Sequence, residues 1–166
     1  MTMGSTNASA GDPVVTDFMV ANPPTLAPGD DVMVAAQRLV DSGLPGLAVV
    51  DGGEIVGILT ESDLVAREAE VETPSSLGIL DALFSPDVGR QFDDEMQQVL
   101  AITVDGLMTT RVTTVLPEAT LTEVATVMAD RRVNPIPVVR RDGTLVGMVS
   151  RRDIVRVVAA LDSRAS

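Results

Sequence analysis

Residues 147–153 read Gly147-Met148-Val149-Ser150-Arg151-Arg152-Asp153, and residues 57–63 read Gly57-Ile58-Leu59-Thr60-Glu61-Ser62-Asp63. Both follow one pattern: glycine, two apolar residues, a hydroxyl residue, two variable positions and aspartate. In each the apolar run before the hydroxyl predicts a strand, and the hydroxyl with an acid three residues on predicts a capped helix start. Seen once, such a stretch is a helix cap. Seen twice, it asks for a repeat.

The repeat extends outward from the two motifs. Met19 matches Met108, Thr25 matches Thr114 and Pro28 matches Pro117, each pair 89 residues apart. Past a turn one residue longer in the second copy, the offset becomes 90: Gly57 matches Gly147, Thr60 matches Ser150 and Asp63 matches Asp153. Each copy opens with a short extended stretch, Thr25-Leu26-Ala27 or Thr113-Thr114-Val115-Leu116. A helix follows, with apolar positions Val32, Ala35, Ala36 and Leu39 in one copy and Leu121, Val124, Ala125 and Met128 in the other. Both sets fall at i, i+3, i+4, i+7, one helical face. Thr120 and Glu123 predict a capping box, and Asp30 is the expected N-cap of the first helix.

Two strands then flank a turn. Leu47 to Val50 leads through Asp51-Gly52-Gly53 to Ile55 to Leu59; Ile136 to Val139 leads through Arg141-Asp142-Gly143 to Leu145 to Val149. Asp-Gly between apolar runs is a strong hairpin signal. The fold class is therefore α/β (α+β), two β-α-β-β-α copies. A single copy of about 50 residues has too little core to stand alone. Two are expected to pack with pseudo-two-fold symmetry. The expected organisation is a disordered tail over 1–13, a first repeat over 14–72, a partly helical connector over 73–104, a second repeat over 105–161 and a tail over 162–166. Within the connector, Leu77 to Leu83 and Asp94 to Leu100 read as helical.

Composition narrows the chemistry. The 166 residues contain no Cys and no His, and all 12 basic residues are Arg. Thiol and Schiff-base nucleophiles, a P-loop lysine and the commonest general base are excluded. With neither Trp nor Tyr and only 3 Phe, there is no stacking platform for single-stranded nucleic acid. The net charge of −12 opposes binding to nucleic acid and anionic lipid. That charge is uneven: residues 1–100 hold 17 acids and 3 Arg, residues 101–166 hold 7 acids and 9 Arg. No apolar run approaches the roughly 18 residues of a membrane span, and no signal peptide is evident. The expectation is a cytoplasmic protein with no metal and no required cofactor. Asp93-Asp94-Glu95 could attract Mg²⁺ in a hydrolase reading, but a solvated helix start explains it better.

A strand-to-helix junction presents backbone N–H groups and the positive end of a helix dipole, which suit a phosphate. An aspartate one turn in can accept two hydrogen bonds from vicinal hydroxyls. Together these suit a phosphorylated ribose. Arg151 and Arg152 at the second junction, and Arg131 and Arg132 before Asn134-Pro135-Ile136-Pro137, are candidates for the phosphate.

The β-α-β-β-α repeat, the Ile136-Pro137-Val138-Val139 type of strand and the paired G-h-h-[ST]-x-x-D endings resemble a tandem pair of CBS domains, a Bateman module. The resemblance covers roughly residues 14–160. It implies a regulatory module, not an enzyme, that binds an adenosine nucleotide (AMP, ADP or ATP) in clefts built from both copies. It also implies alternatives: S-adenosylmethionine or NAD as ligand, or a ligand-free dimerisation and protein-interaction module. By position, the first cleft would use Ile58, Thr60 and Asp63 with Thr113, Val133, Asn134 and Pro135. The second would use Met148, Ser150 and Asp153 with Pro24, Leu44, Pro45 and Gly46. The family further implies a homodimer formed through helices, with Val32, Ala36, Leu39, Leu121, Ala125 and Met128 as apolar positions to spare, and an unidentified protein partner.

Overall fold

Helix and strand boundaries follow the local chemistry read from the sequence. A computed structural model describes residues 11–70 and 102–165. The expected helices at Leu77–Leu83 and Asp94–Leu100, the Asp93-Asp94-Glu95 cluster and most of the tail lie outside those residues. In chain order come a 3-10 turn (Val15–Asp17), β1 (Val20–Ala21), α1 (Val32–Ser42), β2 (Gly46–Asp51), β3 (Glu54–Thr60) and α2 (Glu61–Glu70). Then follow α3 (Val104–Leu107), α4 (Leu121–Arg131), β4 (Ile136–Val139), β5 (Leu145–Val149) and α5 (Arg151–Ala165).

The α1 cap corrects the sequence expectation. Asp31, not Asp30, is the N-cap: its Oδ1 accepts from Met33 N at 2.7 Å. Asp30 faces the other way, its Oδ2 accepting from Ala27 N at 3.0 Å and from Arg38 Nη1 at 2.9 Å. Two adjacent aspartates offer two registers, and Arg38, about two helical turns on, draws the first aside. Gly43 ends α1 in the left-handed region at φ 65°, donating to Leu39 O and Val40 O. The α4 cap is the expected box, with Glu123 N donating to Thr120 Oγ1 at 3.3 Å and Thr120 N to Glu123 Oε2 at 2.8 Å. Thr120→Ala removes one half of it. The expected cost is about 1 kcal/mol, read as a fall of roughly 2–4 °C in melting temperature, with Thr120→Ser avoiding most of that loss.

Both hairpins form. β2 and β3 pair antiparallel from Gly46↔Thr60 to Asp51↔Glu54, leaving Gly52 and Gly53 as a two-residue turn, both at positive φ. β4 and β5 pair from Ile136↔Val149 to Val139↔Leu145. A register shift falls at Val49/Val50 and at the repeat-equivalent Val138/Val139. The expected opening strands shrink to single parallel bridges, Leu26↔Val49 and Val115↔Val138.

The chain packs as two units: one joins residues up to Asn22 with those from Thr113 onward, and the other runs from Pro23 to Val112. Packing thus crosses the repeat boundaries, because the segment leading into each copy docks on the other. In the first unit, β1 pairs antiparallel with β5 as Val20↔Met148 and Ala21↔Gly147. Leu121 N donates to Pro13 O at 2.7 Å and Thr122 N to Asp12 Oδ2 at 3.2 Å. In the second, Ile58 and Thr109 exchange backbone hydrogen bonds of 3.0 and 2.9 Å, and Val32 N donates to Ile102 O at 3.0 Å. Pro13 and Ile102, like Val20 and Thr109, are 89 residues apart, so the exchange repeats with the sequence. Hydrogen bonding from the Thr122 side chain holds the Asp12 carboxyl below its ordinary value. This tie is therefore full above the usual carboxylate range and lost as pH falls through the lowered value.

Glycine makes this docking possible. An added Cβ at Gly147 would lie 2.2 Å from Met19 Sδ, and one at Gly57 would lie 2.4 Å from Met108 Sδ and 3.2 Å from Thr109 O. Each methionine lies across a strand where a side chain would otherwise stand. The core of the first unit is Val15, Val124, Met128, Ile136, Val138 and Val149, with Phe18, Met19 and Ile154 packed on it. Buried in the second are Leu26, Val32, Ala35, Leu39, Leu47, Val49, Leu59 and Val104. Val32, Leu39, Leu121 and Met128, expected as apolar surface to spare, are therefore spent on the core. The face they share with the strands has no surplus. The exposed apolar helix residues include Met33, Val34, Val40, Val65 and Val155.

Candidate functional site

The two aspartate motifs fold alike. In the second unit, Asp63 Oδ2 accepts from Thr60 N and from Thr60 Oγ1, both at 2.8 Å, and Asp63 N donates to Thr60 Oγ1 at 3.3 Å. In the first unit, Asp153 Oδ2 accepts from Ser150 N at 2.8 Å and from Ser150 Oγ at 2.7 Å. β3 ends on Thr60 and β5 ends one residue before Ser150, and in both copies the helix starts at the residue after the hydroxyl, so the acid closes the first turn. The capping function read from the sequence is thus built in both copies.

That cap uses groups which the sequence reading offered to a phosphate. The Thr60 and Ser150 hydroxyl protons point at a carboxylate. The first helical N–H groups are also engaged: Glu61 N donates to Pro45 O at 2.9 Å, and Arg151 N donates to Asn134 Oδ1 at 2.9 Å. Pro45 and Asn134 are repeat equivalents, so one copy closes its helix with a carbonyl and the other with a side chain. The cap leaves the other carboxylate oxygen, Oδ1, unused at both positions. At Asp153 that oxygen faces Arg156 Nη1 at 3.4 Å. The repeat equivalent of Arg156 is Ala66. Asp153 is also the more enclosed, 4% exposed, whereas Asp63 is half-buried.

Each unit gathers one motif with its own copy's strand entry. Ile58, Thr60 and Asp63 share the second unit with Pro24, Leu44, Pro45 and Gly46, and Gly46 pairs with Thr60. Met148, Ser150 and Asp153 share the first unit with Thr113, Val133, Asn134 and Pro135. The side chains of Arg131, Arg132, Arg151 and Arg152 are exposed. Sequence reasoning missed the Asn134 and Arg156 contacts. The arginine three residues after Asp153 was a signal for its ion pair, since i, i+3 residues share a helix face. Among the described residues, no group of three or more acidic, His or Cys side chains is arranged to hold a metal ion. Nor is any described helix long and apolar enough to cross a membrane.

Comparison with known proteins agrees with this geometry. The CBS domain family model matches residues 15–70 and again 104–160. The chloroplastic CBS domain-containing protein CBSX2 of Arabidopsis thaliana is 29% identical over 161 residues, 92% of this chain and 66% of that protein. An uncharacterised Methanocaldococcus jannaschii protein, MJ1426, is 27% identical over 77% of this chain and 79% of its own length. Inosine-5'-monophosphate dehydrogenase of Korarchaeum cryptofilum is 26% identical, but this chain spans 22% of that enzyme. Among solved structures, CBSX2 in complex with AMP superposes with a TM-score of 0.66 at 24% identity, over 90% of this chain and 98% of that one. The CBS domain pair of MJ0100, in complex with 5'-methylthioadenosine and S-adenosyl-L-methionine, gives the same TM-score, identity and coverage. These likenesses show the fold.

Proposed function

The chain belongs to the CBS domain family, which it carries as a tandem pair, and from that premise we propose that it is a regulatory ligand-binding module sensing an adenosine nucleotide. The observation that carries this reading is the repeated carboxylate. Each cap consumes Oδ2 and leaves Oδ1 beside a helix N-terminus; at Asp63 it can accept from ribose hydroxyls, and at Asp153 it shares that role with Arg156 Nη1 at 3.4 Å. The ligands of the CBSX2 and MJ0100 structures share an adenosine group, which supports the same class here. In this reading Asp63 and Asp153 hold ribose, the arginines of the second copy serve the phosphate, and the module acts by binding, without turnover.

A second reading has its own support. Because the hydroxyl protons and first helical N–H groups are already engaged, the motifs are complete as caps, and a ligand-free interaction module needs nothing more from them. Thermal melts separate the two. A ligand at 100 times its Kd that binds only the folded state adds about 2.7 kcal/mol, or roughly 5–10 °C at this size. AMP, ADP, ATP, S-adenosylmethionine or NAD should raise the melting temperature, and a pyrimidine nucleotide should not. Absence of a shift with every adenosine compound at millimolar concentration favours the ligand-free reading. Without Trp or Tyr the protein is nearly transparent at 280 nm, so a 260 nm band in nucleic-acid-free preparations exposes a co-purified nucleotide.

A further inference from the structure

Lone-pair accounting separates the two aspartates. A carboxylate offers about four acceptor positions, shared equally by its oxygens. Oδ2 of Asp63 takes Thr60 N and Thr60 Oγ1, and Oδ2 of Asp153 takes Ser150 N and Ser150 Oγ, so that oxygen is full in each copy. Only Oδ1 remains for anything else. At Asp153, Arg156 Nη1 stands 3.4 Å from it. The Asp153 side chain is 5% exposed and that of Arg156 is 64% exposed, so the guanidinium meets the carboxylate from its solvent side. It takes one of the two Oδ1 positions. In the other copy the equivalent residue is Ala66, which is exposed and ends in a methyl group. Arg67, four residues after Asp63 and so on the same helix face, forms no ion pair with it. The Asp63 cap therefore leaves both Oδ1 positions open.

A ribose has two vicinal hydroxyl protons to place. Oδ1 of Asp63 can accept both, whereas Oδ1 of Asp153 can accept one beside the guanidinium. A sugar that lacks the second hydroxyl thus gives up a charge-assisted hydrogen bond at Asp63 and nothing comparable at Asp153. We propose that Arg156 is a specificity-determining residue: by holding Oδ1 of Asp153 it makes that site tolerant of deoxyribose, while the Asp63 site, with Ala66 in its place, selects ribose. This assignment rests on the reading of both aspartates as ribose acceptors, and adds to it a difference in the sugar that each takes. The Asp63 site is one for ribonucleotides. The Asp153 site takes ribonucleotides and deoxyribonucleotides alike.

Isothermal titration of AMP and ATP against their 2′-deoxy forms tests this one site at a time. Asp63→Asn silences one site and Asp153→Asn the other, since the amide oxygen keeps each cap; thermal melts check that every variant is folded. In Asp153→Asn, the Asp63 site should prefer the ribonucleotide by about tenfold or more. In Asp63→Asn, the Asp153 site should bind both forms nearly equally. Adding Arg156→Ala to Asp63→Asn should raise that preference to about tenfold. Adding Ala66→Arg to Asp153→Asn should bring the preference of the Asp63 site down toward equality. The ratio is the readout, because losing or gaining a cation near an anionic ligand moves both forms alike and cancels. Equal preference at the two sites, or a ratio unmoved by either arginine exchange, would overturn the role of Arg156 and leave the adenosine reading in place. Absence of binding by AMP and ATP alike to the wild type would overturn that reading itself, and this proposal with it.

Discussion

Asp63→Asn weakens adenosine-nucleotide binding roughly 10–100-fold while leaving the unliganded melting temperature nearly unchanged; that is the expected result if the motif serves a ribose. The amide oxygen of Asn can still accept from Thr60 N and Oγ1, where Asp63 Oδ2 now accepts at 2.8 Å. Only the weak helix-dipole term of about 0.3–1 kcal/mol is lost from the cap. The other oxygen is replaced by an NH₂ group, which donates and cannot accept. Charge-assisted hydrogen bonds of about 1.5–3 kcal/mol vanish with it, and each 1.4 kcal/mol is tenfold in affinity. Asp63→Ala should lose both affinity and about 1 kcal/mol of stability. Isothermal titration with the best ligand and melts without it measure the two quantities separately. Unchanged affinity in Asp63→Asn, or equal binding of a 2′-deoxy ligand, returns the motif to capping alone. The effect should be smaller at Asp153, whose Oδ1 already faces Arg156.

The largest stability effect is expected at the two strand glycines. Gly57→Ala must displace Met108 and press on Thr109 O, the acceptor of the Ile58 N hydrogen bond. Overpacking of this kind costs about 1–3 kcal/mol, a fall of roughly 2–4 °C for each kcal/mol. The three atoms nearest a Cβ at Gly147 all belong to the Met19 side chain, with no backbone atom among them, so Gly147→Ala should cost less. A double variant, Gly147→Ala with Met19→Ala, distinguishes packing from backbone effects. If the methionine is the obstacle, the two changes together cost less than the sum of the two alone. Additive costs would mean that the glycine is needed for another reason.

The sequence made the local architecture legible. Apolar spacing located α1 and α4, Asp-Gly turns located both hairpins, and the acid three residues after a hydroxyl located the starts of α2 and α5. It placed the α1 cap one residue early, because two adjacent aspartates both satisfy the rule and only the neighbouring Arg38 decides between them. The exchange of leading segments was not legible. Val20 and Met148 are distant in sequence, and a two-residue strand has no period to read. One signal was present: Met19 and Met108 aligned with each other, and each copy kept a glycine inside a strand. The aspartate motifs were legible as chemistry, but their hydrogen-bond partners were not. Pairing Arg151 N with Asn134 Oδ1 depends on a turn whose path no pattern specifies.

The exchanged segments also bear on the order in which the protein can fold. The unit from Pro23 to Val112 is continuous in the chain, so a ribosome delivers all of it before the helices and hairpin of the second copy exist. The other unit is discontinuous, and β1 must wait for β5, with Val20 meeting Met148 only after most of the chain has emerged. Its closure spans a far longer loop, although the entropic cost grows only logarithmically, by about 0.6 kcal/mol for each doubling of length. Until then the β1 segment and its methionine are without their strand. Synthesis therefore imposes a sequence on two units whose architecture is nearly the same: the acidic, continuous one can be complete while the other still lacks its edge.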